Sequence, residues 1–194
     1  MGYVGKMKGA INDYLKEARI AQRDIATIEE NYKPEYAKKV KGEVLERLQG
    51  HYNAAVSKIR QAQEEGEKAA AAWGKLDGAQ ITKDAELLKY RIAPKDFDGL
   101  VERYRDNYTM SNLLYQYGEQ KNKEAQEKAG GSVFAGDYNL SNIETLEAHI
   151  HHATATGNTA VDVLDRLSIE PGYMRGIDSP MAKAAYDGFM GLDD

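Results

Sequence analysis

From Val4 to Tyr32, apolar or aromatic side chains recur in alternating steps of three and four, at Val4, Met7, Ile11, Tyr14, Ala18, Ala21, Ile25, Ile28 and Tyr32. Lys8, Asp13, Lys16, Glu17, Arg19, Arg23, Asp24 and Glu29 fall between them, so the pattern predicts one amphipathic helix with a heptad seam. As a single helix it would extend about 43 Å, at 1.5 Å per residue. Asn31-Tyr32-Lys33-Pro34 ends it, because Pro34 removes a backbone donor, disfavours a helical Lys33 and suits the first turn of a new helix. A second seam follows through Leu45, Leu48, Tyr52, Ala55, Ile59, Ala62, Gly66, Ala69 and Trp73. Two heptad runs joined by so short a link predict an antiparallel coiled-coil hairpin over residues 1–76.

Much of that seam is small: Ala18 and Ala21 on one side, and Ala55, Ala62, Gly66 and Ala69 on the other. Small residues let helices approach closely, yet each gives up on the order of 2 kcal/mol relative to a packed leucine. The hairpin therefore needs a further surface. A partner or second copy could supply it, or the rest of the chain could fold back over it.

Residues 77–194 read as a smaller region of shorter helices. WGKLDGAQIT is a turn-rich connector with Gly74 and Gly78. Thr82 is placed to cap a short helix through Leu88 that ends before Ala93-Pro94. Asp96 to Asn107 reads as an amphipathic helix burying Phe97, Leu100, Val101 and Tyr104, with Tyr108 at its edge. Thr109 is the expected cap of the next, which carries Leu113, Leu114 and Tyr117 and stops at Gly130-Gly131. Ser141-Asn142-Ile143-Glu144 has the spacing of a capping box, opening a run through Ile143, Leu146, Ile150, Ala153, Gly157, Ala160, Leu164 and Leu167. Thr156-Gly157-Asn158-Thr159 is expected to bend or break that run. Ser179-Pro180 then starts a short terminal helix closed by Gly188.

Composition supports the all-α reading: in 194 residues there are only four prolines, with 29% charged and 42% hydrophobic side chains. The absence of cysteine removes disulfides, thiolate metal sites and cysteine nucleophiles. The longest stretch without Asp, Glu, Lys or Arg runs from Ala148 to Val161, short of the roughly 20 apolar residues of a membrane span, and no targeting signal is evident at the N-terminus. A cytoplasmic protein is expected. The net charge of −5 is uneven: residues 1–73 carry 13 basic and 11 acidic groups, residues 74–129 ten of each, and residues 130–194 three basic against ten acidic. No basic block suits a phosphate backbone, so neither nucleic acid nor membrane is an expected partner.

Three of the four histidines lie at His149, His151 and His152. On a helix His149 and His152 share a face, and imidazole is a common metal ligand. A third ligand would have to come from Asp162, Asp165 or the distant His51, since no H-E-x-x-H or Glu-x-x-His pattern is present. The pair is read as a solvated helix face beside Leu146 and Ile150, and a metal-dependent helical enzyme is kept as the third alternative. Asp96-Phe97-Asp98-Gly99 lacks the closing Glu of a calcium loop. Gly172 and Gly176, like Gly188 and Gly191, do not follow the pattern of a phosphate loop, and no nucleophile motif occurs. No catalytic residue, cofactor or metal is assigned.

Thirteen tyrosines against three phenylalanines suit surfaces where one edge of a ring stays wet, as at a protein interface. Tyr104, Tyr108, Tyr115 and Tyr117 cluster around ERYRDNY. At the C-terminal end, Met181, Tyr186, Phe189, Met190 and Leu192 are apolar anchors in an acidic frame with Asp193 and Asp194, the pattern of a helix docking into a groove.

The N-terminal Ala- and charge-rich coiled coil, followed by WGKLDGAQIT, DAELL and FDGLVERYRDNYTMSNLLYQY, resembles a family of small helical proteins encoded among the head and structural genes of tailed bacteriophages of Gram-positive bacteria. The resemblance covers residues 1 to 118. It implies a virion-associated or scaffold-like assembly role, capsid proteins as partners, and residence in the host cytoplasm or the virion. Scaffolding proteins often carry a basic coat-binding helix at the C-terminus, and the acidic tail here departs from that. The function expected is therefore non-enzymatic: a structural or assembly protein acting through protein contacts, forming a homo-oligomer. A host-cell interaction or regulatory module is the alternative.

Overall fold

The computed structural model describes residues 2–130, 137–168 and 177–192. Gly131, Gly172, Gly176, Asp193 and Asp194, singled out above, lie outside them. Every regular element among the described residues is a helix. The hairpin consists of α1 (Tyr3–Asn31) and α2 (Pro34–Trp73), followed by two 3-10 helices (Gly78–Gln80 and Lys83–Lys89). After these come α3 (Pro94–Arg103), α4 (Tyr108–Lys128), α5 (Leu146–Leu167) and α6 (Pro180–Met190). The chain divides into two compact units, one of residues 1–67 with 152–194 and one of residues 68–151. Helix α1 and most of α2 share the first unit with the last part of the chain.

In the first unit, α1 and α2 run antiparallel. Ion pairs link Lys41 to Glu29, Arg47 to Asp24 (2.8 Å), Lys58 to Asp13 (2.8 Å) and Lys6 to Glu65, and His51 faces Glu17 (3.8 Å), so partner numbers fall along α1 as they rise along α2. Exposed pairs of this kind are each worth about 0–1 kcal/mol; they are consistent with the register, while the apolar seam supplies most of the stability. Ile11, Tyr14, Ile28, Leu48 and Ile59 are buried on the seam, with Ile25, Leu45, Tyr52 and Trp73 half-buried.

The second seam departs from strict heptads. Its buried positions are Val44, Leu48, Ala55, Ile59, Ala62, Gly66 and Ala70, while Ala69 is exposed. A helix of 3.6 residues per turn drifts by about 20° per heptad, and over a helix of 40 residues that drift moves the contact line by one position at either end. Tyr32, placed last on the first seam, is exposed beyond the helix end and stacks obliquely on Tyr36.

The further surface demanded by the small seam comes from the chain itself. Ala160, Val163, Leu164 and Leu167 of α5, with Ile177 and with Ala182 and Phe189 of α6, join Met7, Ala10, Ile11, Leu15 and Ala18 in one core cluster. Helix α5 is unbroken through Thr156–Thr159. The glycine expected to break it is there for close approach: a Cβ on Gly157 would lie 2.4 Å from Gln63 Oε1. The α5 cap also moves. Thr145, not Ser141, accepts from Ala148 N (3.2 Å), and Glu144 turns instead to His149 Nε2 (2.8 Å), so the helix opens at Leu146 rather than Ile143.

Between α1, α2 and α5, the Tyr52 hydroxyl donates to Asp165, and the Tyr14 and Tyr52 rings meet edge to face at 5.9 Å. Burial first, and the Asp165 carboxylate second, push both phenols from about 10 up to about 12. A phenol whose folded pKa is raised favours the fold while neutral, so this contribution is complete below about pH 10 and is lost as pH rises through about 12. Denaturant midpoints measured against pH should fall across that window. Tyr52→Phe should flatten the fall, and an unchanged slope would remove Tyr52 from this account.

In the second unit, Ile92, Phe97, Leu100, Val101, Leu114, Tyr117, Tyr138 and Ile143 form the core. Helix α3 starts at Pro94 and ends at Arg103, shorter than the span to Asn107. Asn107, not Thr109, caps α4, accepting from Met110 N at 3.0 Å, while buried Thr109 accepts from Asp77 N at 2.9 Å. Thr82 likewise bonds the Tyr104 hydroxyl (2.8 Å) instead of capping, and the segment after it winds as a 3-10 helix. Gly118 faces Leu140 and Phe97, and a Cβ there would come within 2.6 Å of Leu140 Cδ2.

Candidate docking surface

The described residues place the two histidines in separate settings. His149 lies against the Trp73 ring (centroids 4.2 Å apart) and bonds Glu144, while Trp73 also meets Tyr108 at 4.8 Å. His152 Nδ1 shares a 2.8 Å hydrogen bond with the Tyr3 hydroxyl. His51 faces Glu17, Asp165 holds Tyr52, and Asp162 pairs with Arg166. Among the described residues no three His, Asp or Glu side chains converge as a metal cage would require. No helix among them is long and apolar enough to cross a membrane.

Of the five terminal docking candidates, Phe189 is 2% exposed and lies in the core of the first unit. Tyr186 is half-buried and donates to Asn12 Oδ1 (2.7 Å), and Met190 packs on the same core. Ser179 caps α6 as expected, accepting from Ala182 N at 3.1 Å, but the helix runs past Gly188 to Met190. Met181 and Leu192 stay exposed, at 69% and 40%. Exposed Ala184 and Gly188 share the face of α6 that carries Met181, and Leu192 follows the end of the helix.

The most exposed apolar surface lies in a region the sequence reading treated as a connector. Leu76 is 67% exposed, Ile81 48%, Leu87 46% and Tyr90 70%. Single exposed leucines are ordinary, but four large apolar side chains within fifteen residues are a concentration of the kind found at interaction sites. The segment is held in place from beneath. Ile92 N donates to the Tyr117 hydroxyl (2.9 Å), Tyr117 donates to Tyr90 O (3.0 Å), and the Tyr138 hydroxyl donates to Ile92 O. Phe97, Tyr117 and Tyr138 pack ring against ring below, at 5.1 to 6.0 Å between centroids. Two of the many tyrosines, Tyr117 and Tyr138, thus serve as a hydrogen-bonding floor, a role that rests on backbone geometry and leaves no spacing signal in the sequence.

Over that floor lies a groove of about 550 Å³ between residues 87–93 and α3, lined by Leu87, Tyr90, Ile92 and Leu100 and by Arg91, Lys95, Asp96 and Arg103. Arg103 donates to Asp84 (2.8 Å), and Tyr104 and then Arg103 hold the Asp84 carboxyl below its usual range. A second groove, of about 540 Å³, runs between α4 and the start of α5, with Tyr108, Asn112, Tyr115 and Gln116 facing Glu144 and Glu147. No known protein family, curated protein or solved structure matches the chain.

Proposed function

We propose that this chain is a non-enzymatic structural or assembly protein that acts through protein–protein contacts, with copies of itself among its partners. The observation that carries the reading is the four exposed side chains Leu76, Ile81, Leu87 and Tyr90, on a segment tied by Thr109 at Asp77, by Asn107 at Gln80 and by Tyr117 and Tyr138 at Tyr90 and Ile92. Fully burying a leucine-sized side chain is worth about 1.5–3 kcal/mol, so covering four gives association a substantial driving force. Because the segment is already ordered, little backbone-ordering entropy adds to the translational and rotational cost of association. A virion or scaffold-like setting with capsid proteins as partners, which the resemblance of residues 1 to 118 implies, is an assembly role of this kind.

Sedimentation of the full chain from micromolar to millimolar concentration tests it. The sedimentation coefficient should rise with concentration. Replacing the four together (Leu76→Gln, Ile81→Gln, Leu87→Gln, Tyr90→Gln) should hold it at the monomer value while far-ultraviolet circular dichroism keeps the helical signal. Association that survives the fourfold replacement would defeat the reading.

A further inference from the structure

We infer that the groove between α4 and the start of α5 binds an arginine-bearing segment of a partner protein. The inference rests on the reading of the chain as a contact protein and names a partner other than its own copies. The groove lies wholly within the second unit and measures about 540 Å³, inside the roughly 300–1,000 Å³ of pockets that enclose organic groups. Tyr108, Asn112, Tyr115, Gln116 and Glu119 share one face of α4, at helical spacing, and form one wall. Glu147, in the first turn of α5, belongs to the other. Among the described residues, no lysine, arginine or histidine lines the groove.

The polar groups left open in that lining are chiefly acceptors. Asn112 donates to the Tyr108 hydroxyl (3.3 Å) and Gln116 donates to Asn112 Oδ1 (2.7 Å), so each amide spends a donor along α4 while the Gln116 carbonyl oxygen keeps its accepting capacity. Glu144 is already answered, by His149 at 2.8 Å and by Arg105 at 3.7 Å, and adds nothing to the case. Glu119 and Glu147 are exposed, and among the described residues neither carboxylate makes an ion pair, although Lys123 and His151 stand one turn further along the same helices. A ligand suited to this wall brings donors and positive charge to two tyrosine rings. Arginine supplies them together, as a planar fork of five donors that stays charged and stacks on aromatic faces. A lysine brings its charge as a point on a flexible stem, without the fork. Carboxylates alone would take either cation; the rings and the amide oxygen favour the guanidinium. Tyr108 also lies against Trp73, 4.8 Å between centroids, so a ligand that meets Tyr108 alters the surroundings of the chain's single tryptophan.

The probe is a capped peptide of three arginines, titrated into the full chain at low salt and followed by Trp73 fluorescence and by calorimetry. Binding should saturate and should weaken as salt is raised. The matching three-lysine peptide should bind about tenfold or more weaker. A groove variant, Glu119→Gln with Glu147→Gln, should lose about tenfold or more in affinity for the arginine peptide, while the same change of charge on the hairpin, Glu30→Gln with Glu43→Gln, should bind like the wild type. All four side chains are exposed, and circular dichroism checks that both variants keep the helical signal. The inference is overturned if the arginine peptide fails to bind at millimolar concentration, if the lysine peptide binds equally well, or if both variants lose affinity alike, which would reduce the effect to net charge. In sedimentation the groove variant should associate as the wild type does; association lost there would make a second copy the occupant and overturn the inference. A wild-type chain that self-associates but never binds the arginine peptide defeats this inference and leaves the proposed function standing. One that binds the peptide through the groove but never self-associates supports this inference and defeats the reading of contacts between copies.

Discussion

Phe97→Ala is expected to destabilise the second unit by about 3–5 kcal/mol, the range for removing a buried aromatic ring from a packed core. The side chain is fully buried, touches both Tyr117 and Tyr138 ring to ring, and closes over Gly118. Its neighbours limit relaxation. Tyr117 and Tyr138 are tied by their hydroxyls to the backbone of Tyr90 and Ile92, so collapsing into the cavity would break those bonds. Amide hydrogen exchange should therefore quicken in residues 90–92 as well as in α3 and α4, although residues 90–92 lie outside any helix. A domain stability of about 5–15 kcal/mol leaves little margin for such a loss. Protection unchanged at residue 92 would show that the tyrosine floor is held by something other than Phe97.

The same variant bears on association. If the groove depends on that floor, Phe97→Ala should also weaken self-association, whereas a surface made only of independent side chains would be unaffected. This is how a core residue can influence an interface without touching it.

How much of this could be read beforehand depends on the range of the interactions involved. The α1–α2 hairpin was legible because its signal is local: eight seam positions on α1 from Val4 to Ile28, Pro34 at the link, and a second run of the same period. Helix α6 was legible for a similar reason, with Ser179 and Pro180 as start signals. Thr145 displacing Ser141 was not, since the choice turned on Glu144 finding His149. Likewise Gly157 reads as a helix breaker in isolation and becomes a close-approach site only when Gln63 is brought against it. The alanine seam left two outcomes open, and α5 with α6 decided for the chain's own cover.

The candidate surface was the least legible feature. Leu76, Ile81, Leu87 and Tyr90 follow neither a 3.6-residue nor a two-residue period, because the segment is built of short 3-10 turns, and it is tied down by Asn107, Thr109, Tyr117 and Tyr138, which lie well along the chain. The terminal docking reading was legible in its residues but not in its facing. Phe189, one of the five anchors, lies in the core, while Met181 and Leu192 are exposed. Amphipathic spacing identifies two faces of a helix, and only the fold decides which one is covered.

Tyr14→Ala is the corresponding test for the first unit, with an expected loss of about 3–5 kcal/mol. Tyr14 is 2% exposed on the α1 seam, and its ring meets Tyr52 edge to face, a geometry worth about 0.5–1.5 kcal/mol beyond buried area. Tyr14→Phe keeps the ring and should cost less than about 1.5 kcal/mol, the upper range of one ordinary hydrogen bond. The comparison separates packing from polarity. A double-mutant cycle with Tyr52→Ala should return a coupling of about 0.5–1.5 kcal/mol, because each ring is the other's neighbour. Tyr52 also holds Asp165, so the cycle should be repeated with Tyr52→Phe, which keeps the ring and removes only that bond. Coupling that persists with Tyr52→Phe would assign the energy to the Asp165 network, and coupling that appears only with Tyr52→Ala would assign it to the ring pair. The geometry predicts the second result, since the hydrogen bond joins Tyr52 to α5 and the ring contact joins it to α1.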